Sequence, residues 1–543
     1  MVGIDEPLVL RGGMLVDGTG APPRTGDVLV EKGRIAAVGH VDDGVGASID
    51  CSGKVVAPGF IDAHSHMDFF AASGQLHHFE SFTAQGVTTF VAGNCGFSPF
   101  GFSPTTSYRH LLENSLFKAG LDSLDWNRFS EYGDIVESMG LSHNFVQLAG
   151  HGAARTSISG FSARPLTASE HDEMLDILDE ALSEGAAGVS LGLQYKPGVF
   201  AKPAELDDVA RLVARHGKIL TVHAKAYSCF SGTYPPVPFG RAHNLKAIDD
   251  MLGLARRTGV RLQFSHLIFV GSRTWDTVDE ALDLFDAAIA DGVDVGFDMF
   301  PYACGATLLN TLLPEWFMAR MPGSLHERLS RVRLWLEAEV GFRVVGFGYP
   351  QIQITNASCA EYQEHDGRFL PDIASRVGKS CFDTMLDILD KSDAEARVLF
   401  HDYYSPPIIT RLMEHPAAVF ASDSWPEPQG HQNPAAFGTF PRFLRVARET
   451  GAIRLEDVVR KMTGAAAVRF GLHDRGTLER GLAADITVFD WENVRDHSNE
   501  TNDAPPTGIL HVFVNGSPLL IDGELVPHSE RSGRLVRSAP PEG

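Results

Sequence analysis

Residues 167–193, TASEHDEMLDILDEALSEGAAGVSLGL, contain one complete helix-to-strand unit. Thr167 and Glu170 have capping-box spacing, and Met174, Ile177, Leu178, Ala181 and Leu182 then recur at helical intervals as far as Gly185. AAGVSLGL follows as a short apolar strand. The unit repeats. A stripe through Leu206, Val209, Leu212 and Val213 stops at Gly217 before KILTVHA, and another through Met251 and Leu254 stops at Gly259 before VRLQFSH. A fourth, through Leu282, Phe285 and Ile289, stops at Gly292 before VDVGFDMF. The terminating glycines are 32, 42 and 33 residues apart, as in right-handed crossovers of a parallel sheet.

Working outward, GFIDAHSH, VTTFVAGNC and NFVQLAGHG come earlier and AAVFASDS later, which brings the strands to eight. Eight such units predict an α/β fold, a (β/α)8 TIM-like barrel, with an open doubly wound sheet as the alternative. The two ends read differently. LVLRGGMLVDG, DVLVEKGRIAAVG and KVVAPGF, then ADITVFDW (484–491) and GILHVFVNG (508–516), are short strands broken by glycine turns. The expected organisation is a small β-sandwich domain built from both termini, residues 1–58 and 475–535, and a barrel over 59–470. An insertion at about 305–412, with helical pieces at 372–378 and 382–390, is too long for one barrel connection. It reads either as a lid or subdomain over the site or as the contact of a homo-oligomer. The final stretch, SERSGRLVRSAPPEG, is expected to form a surface tail only.

The composition, 44% hydrophobic and 21% charged over 543 residues, is that of a core-forming globular chain. A net charge of −23 repels phosphates, so neither nucleic acid nor an anionic membrane is the expected partner. Six scattered cysteines form no disulfide framework, the amino terminus shows no secretory pattern, and no apolar run is long enough to span a bilayer. The expectation is a cytoplasmic protein.

The polar residues at the strand ends carry the chemistry. His64 and His66 end the first strand, Cys95 the second, His223 the fifth, His266 the sixth and Asp423 the eighth. A barrel gathers the carboxyl ends of its strands at one mouth, so these six would converge there. Imidazole, thiolate and carboxylate are the donors zinc prefers. Each residue alone has a packing or capping explanation; their joint placement is the signal. Cys51, Cys229, Cys304, Cys359 and Cys381 keep the packing explanation, and Phe97, Phe100 and Phe102 read either as core or as an apolar acyl pocket. Dinucleotide, phosphate-loop and serine-hydrolase motifs are absent from the sequence.

Together these residues resemble the amidohydrolase superfamily and, within it, the N-acyl-D-amino-acid deacylases. The likeness rests on APGFIDAHSHMD, GNCGFSP, LAGHG (148–152), LGLQYKPG (191–198), DMFPYACGATLLNTLLPEW (298–316), GTFPRFL (438–444) and MTGAAAVRFGLHDRGTLERGLAADITVFD (462–490), and it covers about residues 8–535. It implies a zinc enzyme that cleaves the C–N amide bond of a small N-acyl compound with metal-activated water. Cys95, His223 and His266 would form the tight site, and His64, His66, Cys95 and Asp423 a second, weaker one. Asp423 would act as general base and then acid, and Tyr195 would stand beside the substrate's carbonyl or carboxylate as the candidate oxyanion donor. Three departures concern the substrate. His223-Ala224-Lys225 stands for His-Met-Arg, Ser265-His266-Leu267-Ile268 for Ser-His-His-Lys, and Phe300 for a common Tyr. A cation expected at the substrate's α-carboxylate has thus become Ile268, a loss of roughly 2–5 kcal/mol against a desolvated carboxylate. Either Lys225 compensates, or the substrate is a hydrophobic amide, carbamate or lactone without that carboxylate. A non-catalytic metal-binding scaffold is the reading of another class.

Overall fold

Eight short, almost wholly buried strands form the centre of the computed structural model, which describes residues 6–113, 123–235, 240–499, 503–527 and 531–538. They are Phe60–Asp62, Val87–Ala92, Asn144–Gly150, Gly188–Gly192, Ile219–His223, Arg261–Phe264, Val295–Met299 and Ala418–Phe420. Each pairs in parallel with the next in chain order. The first and last strands meet through the Ala63 N–H on the Phe420 carbonyl at 3.3 Å and the Asp423 N–H on the His64 carbonyl at 2.9 Å. Burial on both faces explains why the strands read as continuous apolar runs.

The helices that return the chain include Ala168–Glu184, Pro203–Arg215, His243–Thr258 and Val278–Ala290. The first begins at the expected capping box: the Thr167 hydroxyl accepts from the Glu170 N–H, and the Glu170 carboxylate from the Thr167 N–H at 2.8 Å. It ends at Gly185, whose φ of 118° is open to glycine but strained for other residues.

Strands from both ends of the chain form a second sheet. Leu8–Leu15, Arg24–Glu31, Arg34–Gly39, Ala47–Asp50 and Val55–Pro58 join Ile486–Phe489, Ile509–Val514, Ser517–Ile521 and Glu524–Leu525. Val55–Pro58 pairs antiparallel with Ile486–Phe489 and leads through Gly59 into the first barrel strand. This sheet closes over its own core of Leu10, Val28, Ile35, Val56, Ile486 and Phe513. The architecture is a TIM-like barrel with a small β domain built from both ends.

Between the seventh and eighth barrel strands lies a three-stranded antiparallel sheet, Gly305–Leu308, Arg397–Phe400 and Ile352–Asn356, with Arg397–Phe400 in the middle. The long helix Arg328–Val345 accompanies it. This helix buries Leu334, Gly341 and Val345 on its inner side and leaves Leu329, Val332, Leu336 and Val340 exposed.

The carboxyl end departs from the tail expected for it. Leu535 and Val536 pair in parallel with Phe145 and Val146 of the third barrel strand. The fourth strand joins the third only from Leu148 onward, so the tail supplies the hydrogen bonds and apolar cover that the earlier half lacks.

A buried ion cluster locks two of the returning helices. Arg155, fully buried, donates to Glu205 Oε1 at 2.6 Å, and His151 Nε2 donates to the same oxygen at 2.9 Å. Burial opposes the charge on Glu205, but these partners outweigh it and hold the carboxyl at about 2. Removing Glu205 would leave a buried guanidinium without its counter-charge. Glu205→Ala should therefore lose about 3–5 kcal/mol in urea unfolding followed by circular dichroism. A free glutamate titrates near 4.3, so the folded chain binds fewer protons at this site. The contribution is full above about pH 4.3 and is lost as the pH falls toward 2, and Glu205→Gln should flatten that acid limb.

Candidate metal centre

His64 and His66 leave the first barrel strand two residues apart, and alternation puts both rings on one side with centroids 5.3 Å apart. Cys95 follows the second strand in a tight turn. Its own φ is 56°, and a Cβ on the next residue, Gly96, would come within 2.8 Å of the Gly192 nitrogen. His223 ends the fifth strand; His266 and Asp423 follow the sixth and eighth with φ of 32° and 49°. Three of the six expected donors therefore occupy left-handed backbone, which costs a non-glycine residue roughly 1–2 kcal/mol. Such strain persists where surrounding bonds over-determine it. Here the Gly96 N–H donates to Ser190 Oγ at 2.9 Å and the His266 N–H to Asp298 Oδ1 at 2.7 Å.

All six side chains come together. Cys95 Sγ lies 3.4 Å from His64 Nε2 and 3.6 Å from both His223 Nδ1 and His266 Nε2. Asp423 Oδ1 lies 3.3 Å from His64 Nε2 and 3.5 Å from His66 Nε2. Three overlapping sets, His64–His66–Cys95, Cys95–His223–His266 and His64–His266–Asp423, each place their donor atoms within 4.8 Å of one another.

Outer partners aim the rings. Asp298 Oδ1 accepts from His64 Nδ1 at 3.1 Å, which turns Nε2 toward Cys95 and Asp423. Gln194 Oε1 accepts from His223 Nε2 at 2.9 Å, which turns Nδ1 toward Cys95. Tyr227 packs its ring 5.0 Å from both His223 and His266 and donates its hydroxyl to the Ser265 carbonyl. Asp62 braces the seam by accepting from the Ser422 N–H at 2.8 Å. Asp298, Gln194, Tyr227 and Asp62 were not among the site residues expected from sequence. Asp298 and Asp62 each had a signal, an acidic residue within an apolar strand, the seventh and the first.

The electrostatics favour added positive charge. Burial pushes the Cys95 thiol up to about 11 in spite of the nearby His64. Burial also drives His66 down to about 4, and His223 and His266 downward, toward the neutral form that ligates. It opposes charge on His64 as well, but Asp298, Cys95 and Asp423 raise that imidazole well above its usual value. Asp423 is held well below the carboxylate range, with burial outweighed by His266, His64 and His66.

Two cavities flank the cluster. The larger, about 600 Å³, reaches His223, His266 and Asp423 and is walled by barrel and insertion residues, among them Ile268, Trp316 and Phe342. The smaller, about 50 Å³, touches Cys95, Phe97 and Lys196. Tyr195 borders both, its ring 4.6 Å from His223 and its hydroxyl 3.1 Å from Thr307 Oγ1. Phe100 and Phe102 pack in the core, so of the three clustered phenylalanines only Phe97 faces a cavity. Lys225 points its ammonium at Glu315 Oε2, 3.0 Å away.

The amidohydrolase family pattern matches residues 47–297 and 370–519. The chain is 31% identical over 517 residues to D-aminoacylase from Alcaligenes xylosoxydans xylosoxydans, covering 94% of each protein. It is 32% identical over 539 residues to N-acyl-D-glutamate deacylase from the same organism, covering 98% of this chain and 96% of the other. Its fold superposes with a TM-score of 0.81 and 29% identity on N-acyl-D-glutamate deacylase from Bordetella bronchiseptica complexed with zinc and a phosphonate mimic of the tetrahedral intermediate, covering 99% and 100% of the two chains. The family match spans most of the chain and takes in every strand end that brings a donor to the cluster, so this protein belongs to the amidohydrolase family and is a metal-dependent amidohydrolase.

Proposed function

We propose that the protein hydrolyses the C–N amide bond of a small N-acyl compound, with zinc held by the buried cluster. The observation that carries this is Cys95 Sγ standing within 3.4–3.6 Å of three imidazole nitrogens. A thiol pushed up by burial and an imidazole ringed by acidic groups are both relieved by a divalent cation. In this reading Cys95, His223 and His266 make the tight site, and His64 and His66, with Cys95 and Asp423 shared, a weaker second one. Bound zinc lowers the pKa of water from about 15.7 to near 7 and polarises a carbonyl.

The chain's own residues do the rest. Asp423 is ionised and borders the larger cavity, so it takes the proton from the attacking water as the new C–O bond forms. As the C–N bond breaks, Asp423 returns the proton to the departing nitrogen, and a carboxylic acid and an amine leave. Tyr195 stays protonated, because burial and the nearby Cys95 raise it well above its usual value. Its hydroxyl is therefore a donor for the carbonyl oxygen as charge develops there. The names of the relatives, D-aminoacylase and N-acyl-D-glutamate deacylase, make an N-acyl-D-amino-acid deacylase-like activity the leading subtype.

Metal content tests the cluster directly. Protein expressed with ample zinc should retain it, and less than about 0.2 zinc per chain by elemental analysis would remove the reading, since a Cys/His/His site should fill. Cys95→Ala should lose most of that zinc; unchanged stoichiometry would return Cys95 to a packing role. Asp423→Asn should fold, keep the tight zinc and lose roughly 10²–10⁴-fold in turnover, the usual contribution of a positioned proton carrier. Native rates at metal saturation would exclude Asp423 from that role.

A further inference from the structure

The larger cavity combines its size with an unusual account of charge. Of the residues that line it, histidines aside, only Arg333 is cationic, and Arg333 is already engaged. Its Nε donates to Glu337 Oε1 at 2.7 Å, and its guanidinium lies 3.9 Å from the centre of the Trp316 ring. Trp316 Nε1 donates to the other Glu337 oxygen at 2.8 Å, which closes the triangle. Lys225 is bound to Glu315, another lining residue. The wall thus presents the carboxylates of Glu315 and Glu337, and Asp423 at the cluster, with no unpaired lysine or arginine among the described residues. Beside His266 the wall is Ile268, and the wall includes a group of aromatic rings, among them Phe200, Phe230 and Phe347, together with neutral hydroxyls such as Ser228 and Thr311.

Among the described residues that line either cavity, Lys196 is the other cation. It lines the smaller cavity, with its ammonium 4.8 Å from the centre of the Phe161 ring and Glu395 on the same wall. About 50 Å³ admits a short acyl group and little else.

We propose that the substrate is an uncharged amide whose nitrogen carries a bulky apolar or aromatic group and no α-carboxylate, that group filling the larger cavity. This inference rests on the hydrolytic reading above and replaces the N-acyl-D-amino acid that the relatives' names suggest, because the cavity offers no unpaired lysine or arginine among the described residues. A carboxylate in that cavity would be desolvated against two acidic side chains and the methyl surface of Ile268. The missing cation alone corresponds to a discrimination of about thirty- to several-thousand-fold.

The test pairs N-acetylphenethylamine with N-acetyl-D-phenylalanine and its L-enantiomer, which differ from it only by the carboxylate. Amine release by the zinc-loaded protein should give a kcat/KM at least about thirtyfold higher for the phenethylamide. Ile268→Lys should shift the ratio at least tenfold toward an acid at unchanged zinc content. A native preference for either acid overturns the proposal, and its loss in Lys196→Met would locate the carboxylate in the smaller cavity. Calorimetry on zinc-loaded Asp423→Asn reads the same preference without turnover. Tighter binding of the phenethylamide with no hydrolysis of any compound by the native protein would uphold the cavity's preference for an uncharged ligand and remove the hydrolytic reading. Tighter binding of an acid would overturn the inference alone.

Discussion

Asp298 joins three barrel strands through a single carboxylate. One oxygen accepts from His64 Nδ1 and from the His266 N–H, and the other from Gln263 Nε2 at 3.1 Å. The first strand's imidazole is thereby fixed in rotation and tautomer, while the backbone that carries the sixth strand's imidazole is pinned in its left-handed turn. Partners of this kind set a ligand's orientation and basicity as much as the ligand itself does. Without that carboxylate, His64 would lose the bond that aims Nε2 at Cys95, and the strained backbone at His266 would lose a bond opposing its relaxation. The cluster is a property of the closed barrel, because its members come from five strands that only closure brings together.

The same closure sets the electrostatic problem. Five titratable side chains are almost wholly withdrawn from water at one point beside Asp423, which keeps 12% of its side chain exposed, and burial acts on each of the six. The neutral imidazoles tolerate it, Asp423 is rescued by its histidine neighbours, and Cys95 is left as a thiol. A divalent cation satisfies all of these demands at once, which is why the donor set and its surroundings make one argument.

Much of this was legible in the sequence because the barrel's periods are strong. Helical stripes ending at Gly185, Gly217, Gly259 and Gly292 announced crossovers, and the polar residues that break the apolar strands did so at one end. Asp298 was missed because a strand buried on both faces hides the alternation that would show which way a side chain points. The engagement of Lys225 was invisible because its partner, Glu315, lies 90 residues away in the insertion. The tail misled for a related reason. Leu535 and Val536 are two apolar residues in a polar stretch, too few to announce a strand, yet enough to complete an edge left open by the offset between the third and fourth strands.

The insertion between the seventh and eighth strands contributes Glu315, Trp316, Arg333, Glu337, Phe342 and Phe347 to the large cavity and none of the six clustered side chains. The clustered side chains thus sit on the barrel while one wall of the cavity is supplied by a single contiguous segment, joined to the barrel side through Thr307 and Tyr195. Substitutions within that one segment would reshape part of what the cavity admits without touching the clustered side chains.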